Sequence, residues 1–130
     1  MDNLVSPHEA PRVGVLLTGP LKLAHRVRVT LAGGQGVLPR GAVLYRDGAN
    51  DGLCKQAGST QLTGTVPLLY ILEEAVDTGT GAGLPAKVGA AFDAGHFNRA
   101  ALKFAGATTL TDAIEAVLRG QGMHLDYVQA

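Results

Sequence analysis

Residues 27–45 read VRVTLAGGQGVLPRGAVLY and carry the pattern that decides the fold class. Within them, Val27, Val29 and Leu31 alternate with polar side chains, which is the period of a half-buried strand. The glycine-rich turn at 33–36 interrupts this pattern, and two more short apolar segments follow it. Short strands joined by tight glycine turns predict a β-rich domain.

Further patterns typical of strands, and one typical of a helix, occur between residue 66 and the C-terminus. The most hydrophobic stretch, 66–72, predicts a core strand, and residues 86–92 predict another. Between them and the C-terminus one short helix is predicted, because apolar residues recur at helical spacing over 110–118. Either Thr109 or Thr111 would supply its N-cap, and the glycines that follow would end it. The sequence therefore predicts a mainly β domain with one short C-terminal helix.

Size and composition restrict the class of protein further. A chain of 130 residues suits one globular domain. Cys54 is the only cysteine, so neither an internal disulfide nor a cysteine metal cluster is possible. No apolar run approaches the roughly 18 residues that a membrane-spanning helix needs, and the N-terminus lacks a signal-peptide pattern. We therefore expect a chain that is neither secreted nor membrane-bound.

The chain divides into an arm, residues 1–20, and a β-rich domain, residues 21–130. The arm contains three prolines and one short apolar stretch, VGVLL at 13–17. That stretch is too short to bury itself without a partner. We therefore expect the arm to become ordered only on contact with another molecule.

Charge is unevenly distributed, although the net charge is zero. Between residues 10 and 46 there are six basic residues and no acid, and we call this set the basic front: Arg12, Lys22, Arg26, Arg28, Arg40 and Arg46. Such a segment suits contact with an acidic protein surface or with a phosphate backbone. It also suits a solvated edge strand, since edge strands often carry Lys and Arg.

The glycine-rich loops do not indicate ligand sites. Phosphate-binding loops open a helix, whereas 33–36 and 79–83 are each followed by a proline and an extended pattern. The segment 47–52 resembles the start of a calcium loop, but two of the required oxygen ligands are missing. All three segments are predicted to be turns.

No group of residues indicates catalysis. Cys54 lies in a polar segment, 47–65, without a neighbouring histidine, and the four histidines are far apart along the chain. Glu73 and Glu74 are adjacent, so on a strand they would point to opposite faces. We therefore predict no enzyme activity, no metal site and no cofactor.

Three stretches together resemble the phage lambda-type head decoration protein family. They are VTLAGGQGVLPRGAVL at 29–44, PLLYILEEAVDT at 67–78, and NRAAL at 98–102 followed by AGAT, the predicted helix and GMHL at 122–125. Their order and spacing both match the family, over about Val13 to Leu125. Each stretch alone would be a weak signal.

The resemblance implies a small domain of the β-clip or β-tulip kind that assembles as a homotrimer. It also implies docking on the outer surface of an expanded virion shell built from a major capsid protein, after synthesis in the host cell cytoplasm. The basic segment 12–46 leaves a nucleic-acid-binding module as one alternative, although no aromatic residue precedes Tyr45 in it. A trimeric small-molecule enzyme on a β-clip scaffold is the other. The leading hypothesis involves no membrane and no direct contact with nucleic acid.

On this basis we assign capsid binding to the arm and to the bases that follow it. The arm would add a strand to an exposed capsid edge, and the bases would meet capsid carboxylates. The predicted capsid-binding residues are Arg12, Val13, Gly14, Val15, Leu16, Leu17, Lys22, Arg26 and Arg28.

Overall fold

The computed structural model describes residues 15–20 and 23–127. These residues form eight strands and one α-helix. The strands are β1 (His25–Leu31), β2 (Gln35–Leu38), β3 (Val43–Asp47), β4 (Leu53–Gln56), β5 (Leu69–Leu72), β6 (Val76–Thr80), β7 (Lys87–Asn98) and β8 (Met123–Asp126), and the helix, α1 (Asp112–Gly120), lies between β7 and β8.

Six of the strands form one mixed sheet, in the order β1-β4-β3-β5-β7-β8. Because β1 also pairs with β7, the first five strands of this order close into a ring. The β1–β4 and β7–β8 pairs are parallel and the other pairs antiparallel. Strands β2 and β6 form a separate antiparallel ribbon. The prediction of a mainly β fold with one short helix near the C-terminus is confirmed.

Two hydrophobic clusters occupy the two faces of the ring. Leu44 and Leu72 belong to one cluster and their neighbours Val43 and Ile71 to the other, since successive side chains on a strand point to opposite faces. One cluster has members on every strand of the ring: Val29, Leu31, Leu38, Ala42, Leu44, Cys54, Leu72 and Ala91. The other cluster contains the buried residues of α1 and therefore lies between the ring and the helix.

Helix α1 begins where the sequence predicted. Thr111, and not Thr109, is the N-cap, and its hydroxyl accepts a hydrogen bond of 3.2 Å from the Ile114 amide. The Glu115 side chain in the first turn of the helix is only 14% exposed, because Arg99 binds it. With nine residues, α1 is too short to cross a membrane, and no other helix within 15–20 or 23–127 could do so.

Two strands differ in length from their prediction. The stretch 66–72 contributes only β5, because the Gln121 side chain binds the main chain where that strand begins. Its Oε1 accepts from the Leu69 amide and its Nε2 donates to the Pro67 carbonyl, both at 2.8 Å. Strand β7 continues past the predicted end at residue 92 as far as Asn98, because β8 pairs with this additional length.

The polar segment 47–65 contributes to the core, which its composition does not indicate. It begins with the predicted tight turn, where the Asp47 carboxylate accepts from the Ala49 amide. Strand β4 then follows and buries Cys54, and the loop after β4 buries Ala57 and Leu62. The expectation that Cys54 lies in a polar loop is therefore wrong.

Candidate functional site

The apolar stretch assigned to the arm has a partner inside the domain. Leu16 is buried among core residues, and its carbonyl accepts a hydrogen bond of 2.8 Å from the Asn98 amide. Leu17 forms a β-bridge with Phe97, and the Thr18 amide donates to the His96 carbonyl. The expectation that this stretch is unpartnered is wrong, because β7 extends far enough to pair with it.

This packing changes what the predicted capsid-binding residues can do. The Leu16 side chain is 1% exposed, so it is not available to another molecule. Val15 and Leu17 are partly exposed. Four of the predicted capsid-binding residues lie outside the described residues: Arg12, Val13, Gly14 and Lys22.

The two arginines of β1 differ in their contacts. Arg26 forms an ion pair with Glu73 and is therefore already neutralised within the domain. Arg28 is exposed and, among the residues described, makes no ion pair or side-chain hydrogen bond. Of these two predicted contacts, Arg28 is the one available to an anionic partner.

Arg28 lies at the edge of a cleft of about 470 Å³. The cleft is lined from β1, β3, β5 and the start of β4: Arg28, Val29, Thr30, Arg46, Asp51, Gly52, Leu53, Cys54 and Tyr70. Arg46 is a second arginine with no ion pair or side-chain hydrogen bond in the described part of the chain. The cleft thus brings together two cations of the basic front, against the single carboxylate of Asp51.

Gly52 makes room for the Arg46 guanidinium. A Cβ atom at this position would lie 2.7 Å from Arg46 Nε and 2.9 Å from one of its terminal nitrogens. Gly52 also has a φ of +74°, which disfavours other residues. A glycine in the β3–β4 turn therefore lets this guanidinium lie close against the main chain at the cleft.

The uncharged side chains of the cleft stay uncharged at neutral pH. Burial raises the pKa of the Cys54 thiol to about 11, with Arg46 opposing the shift. Burial also raises the pKa of Tyr70. Because a thiol is a nucleophile only as the thiolate, Cys54 has little nucleophilic character here. None of the described residues that line the cleft is a histidine that could accept its proton. The cleft is suited to binding an anion more than to catalysis.

A cluster near the N-terminal segment contains two histidines but indicates no metal centre. The rings of His96 and His124, which pair across β7 and β8, stack with centroids 5.1 Å apart. Asp126 accepts a 2.6 Å hydrogen bond from the Thr18 hydroxyl and lies 3.5 Å from His96. Within 15–20 and 23–127, no three metal-ligating side chains are grouped so that they could hold an ion. The Thr18–Asp126 contact in this cluster instead holds residues 16–18 against β7 and β8.

The segment between β6 and β7 forms an exposed apolar surface. Every residue from Thr80 to Val88 is exposed, and most of them are apolar or glycine. Val88 is 61% exposed, and Val37 on the neighbouring ribbon is 64% exposed. We call this set, residues 80–88, the apolar loop surface. The sequence pattern does not indicate this surface, because a glycine-rich turn followed by a strand gives no signal of exposure.

Comparison with protein-family models and with curated proteins finds no match to this chain.

Proposed function

We propose that this chain is a structural protein of a bacteriophage virion that binds the outside of the expanded capsid as a homotrimer. Its role is to stabilise the shell against the pressure of the packaged DNA. The observation that carries the proposal is the ordered resemblance of three stretches to the lambda-type head decoration proteins. A domain of the β-clip or β-tulip kind is part of the same proposal.

The resembling stretches coincide with the framework of the domain. Residues 29–44 span the end of β1, all of β2 and the start of β3, and residues 67–78 span β5 and the start of β6. The last stretch runs through the turn after β7, helix α1 and most of β8. A resemblance over packed elements supports a shared fold more strongly than one over loops, where sequence varies most.

The apolar loop surface supports the homotrimer. Exposed apolar side chains on a soluble domain favour burial against another protein surface. Here Leu84, Pro85, Ala86 and Val88 are all exposed within five consecutive residues. We assign the contacts between subunits to this surface.

Attachment to the shell is assigned to the segment before Leu16 and to Arg28. Leu16 itself is packed in the core, so the assignment to the arm rests on the residues before it in the sequence. Three arms on one trimer would multiply modest contacts through avidity, by up to about 10²–10⁴-fold. Preferential binding to the expanded shell would stabilise that state by linkage.

The alternatives receive less support. An enzyme on this scaffold lacks an activated nucleophile or a histidine in the cleft, where the Cys54 thiol stays protonated. A nucleic-acid-binding module would use the basic front, but Arg26 is already paired with Glu73. Neither alternative accounts for the resemblance.

A binding experiment with shells tests the proposal. Purified protein is mixed with expanded and with unexpanded shells of the phage that encodes it, and co-sedimentation is measured. We expect binding to the expanded form alone, with new density at threefold positions in cryo-electron microscopy. Equal binding to both forms, or to neither, would contradict the proposal.

The trimer is tested separately by light scattering coupled to gel filtration. Val88→Asp places a charge on the apolar loop surface, and we expect it to convert trimer to monomer. Leu68→Asp is the matched control, because Leu68 is 56% exposed elsewhere on the domain. A monomeric wild-type protein, or a trimer that survives Val88→Asp, would contradict the assignment.

A further inference from the structure

Strands β1 and β4 meet at one point and then separate. Among the described residues, the only register pair between them is Leu31 with Cys54, supported by a hydrogen bond from the Ala32 amide to the Cys54 carbonyl. Continued back along the chain, this register would place residues 28–30 opposite Leu53 and the two turn residues before β4, 51–52. Those six residues instead line the two sides of the cleft.

Both sides of this gap are held in place by their other neighbours. β1 pairs with β7 along its whole length, from His25 to Leu31. On the other side, β4 pairs with β3 from Leu53 to Gln56, and the turn before β4 is held by a hydrogen bond from the Gly52 amide to the Asp47 carbonyl. The main chain on each side is therefore ordered before any ligand arrives. Within the described residues, no strand lies beside the β1 edge at residues 28–30, and an ordered edge of this kind is a template for an added strand.

The charges at the gap specify the chemistry of such a strand. Arg28 projects from one side, and Arg46 lies against Gly52 on the other. A guanidinium binds a carboxylate through two parallel hydrogen bonds, and such charge-assisted bonds are the stronger ones. Of the described residues that line the cleft, Asp51 alone carries a carboxylate, so two cations face one acid.

We propose that the cleft between β1 and β4 binds a short extended peptide segment that carries acidic side chains. Its main chain pairs with the β1 edge at residues 28–30 and passes beside residues 51–53, and its carboxylates bind Arg28 and Arg46. A free phosphate would use the arginines alone, whereas a peptide uses the β1 edge as well. This inference goes beyond capsid attachment, since it concerns free protein and holds whichever macromolecule supplies the segment.

Titration of the ¹⁵N-labelled full-length protein with a synthetic peptide tests the site. The probe is an acetylated, amidated pentapeptide, Val-Glu-Val-Glu-Val, and its analogue with glutamine in place of glutamate is the comparison. We expect amide shifts confined to residues 28–30 and 51–54, and binding at least about tenfold tighter for the glutamate peptide, a difference of about 1.4 kcal/mol. No shift at these residues, or equal affinity for the two peptides, would overturn the proposal.

Three arginine variants test whether the peptide binds at the cleft or is attracted by the positive charge of the protein in general. Arg28→Gln and Arg46→Gln should each weaken the glutamate peptide about tenfold. Arg40→Gln removes an equal charge from an exposed residue of the basic front that does not line the cleft, and it should leave the affinity unchanged. An equal loss in all three variants would mean non-specific attraction and would overturn the proposal. Unchanged spectra away from each substitution verify that the variants are folded.

Two further titrations test whether the occupant of the cleft is an extended peptide strand or another ligand. The glutamate peptide methylated at alternate backbone nitrogens should lose most of its affinity, because it cannot donate along the strand edges. If it binds as well as the parent, or if inorganic phosphate gives the same shifts, the cleft is an anion site and the peptide proposal is wrong. Shifts at the same residues on concentrating the protein alone would identify a second copy as the occupant, which also overturns it.

Discussion

The two edges of β1 differ in how much of their length is paired. On one edge, all seven residues from His25 to Leu31 have a partner on β7. On the other edge, Leu31 alone has a partner among the described residues, Cys54 on β4. The first edge is paired throughout, with one register shift between His25 and Arg26, and the second borders a polar cleft. A single strand can therefore serve stability with one edge and present a binding surface with the other.

Leu31 is the residue at which both edges are paired, so its truncation should have the largest effect. It is fully buried in the cluster that has members on every strand of the ring. We expect Leu31→Ala to lower the free energy of unfolding by about 2–5 kcal/mol, because it removes buried methyl groups and leaves a cavity. Urea denaturation measures this.

The control for Leu31→Ala is an exposed apolar residue. Val37→Ala should change the free energy of unfolding by less than about 0.5 kcal/mol. A loss below about 1 kcal/mol for Leu31→Ala would mean that the junction of the two edges contributes little.

The edge of β7 that pairs with β1 continues against residues 16–18. Truncation of Leu16 tests how much these residues contribute to the free energy of unfolding. We expect Leu16→Ala to cost nearer about 2 kcal/mol, since a terminal segment can move to fill part of the space that the truncated side chain leaves. Urea denaturation again gives the value. Deletion of residues 2–14 leaves Leu16 in place and is the control.

The deletion should leave the unfolding free energy within about 0.5 kcal/mol of wild type. A deletion that destabilises as much as Leu16→Ala would assign a packing role to residues 2–14. An extended deletion, of residues 2–17, should destabilise the domain, because it removes Leu16 from the core.

The reactivity of the Cys54 thiol in the wild-type protein measures how readily the β1–β4 junction opens. The thiol is buried and its pKa is raised to about 11, so a thiol reagent reacts only when the β1–β4 junction opens. We expect this opening to require less free energy than global unfolding, because one register pair holds the junction. Labelling rates at increasing urea concentration measure the opening.

Amide exchange on the paired edge provides the comparison for Cys54. The amides that bond to β7 should exchange only through near-global unfolding. If Cys54 labelling and amide exchange on β1 give the same free energy, the two edges open together and the contrast between them is wrong.

The smallest expected effect concerns a contact away from β1, between Glu115 and Arg99. Hydrogen bonding and the charge of Arg99 lower the pKa of Glu115 below its ordinary value of 4.5. A lowered carboxyl pKa contributes stability at pH values above 4.5, and this contribution is lost as the pH falls through the lowered value. Wild type and Glu115→Gln should therefore differ most near neutral pH and converge in acid.

Melting temperature against pH measures this convergence. Glu74→Gln, which removes an exposed carboxylate, is the control and should not reproduce it. A difference between wild type and Glu115→Gln that stays constant with pH would show that the ion pair does not contribute through its charge.

Local patterns in the sequence predicted several elements but not their partners. The alternation of Val27, Val29 and Leu31 predicted β1, and the spacing of apolar residues predicted α1. The same kind of pattern failed at Leu16. Its stretch is too short to indicate burial, and its partner lies about 80 residues further along the chain. The polar composition of 47–65 likewise hid the buried Cys54.

The sequence predicted only part of the candidate site, because local patterns do not show which distant residues come together. Arg28 and Arg46 both belong to the basic front, so the sequence identified the residue type and the sign of the charge. Their approach to one cleft depends on which strands pair. The sequence also did not predict that Arg26 is neutralised, because Glu73 lies 47 residues away along the chain.

The sequence by itself determined the mainly β class and the position of the helix. Both follow from side-chain periodicity, which is a local property of the chain. Only the tertiary structure decided that β1 is paired along one edge and open along the other. Strand pairing joins distant segments through main-chain groups that every residue except proline carries in full, so the register depends on how the whole chain packs.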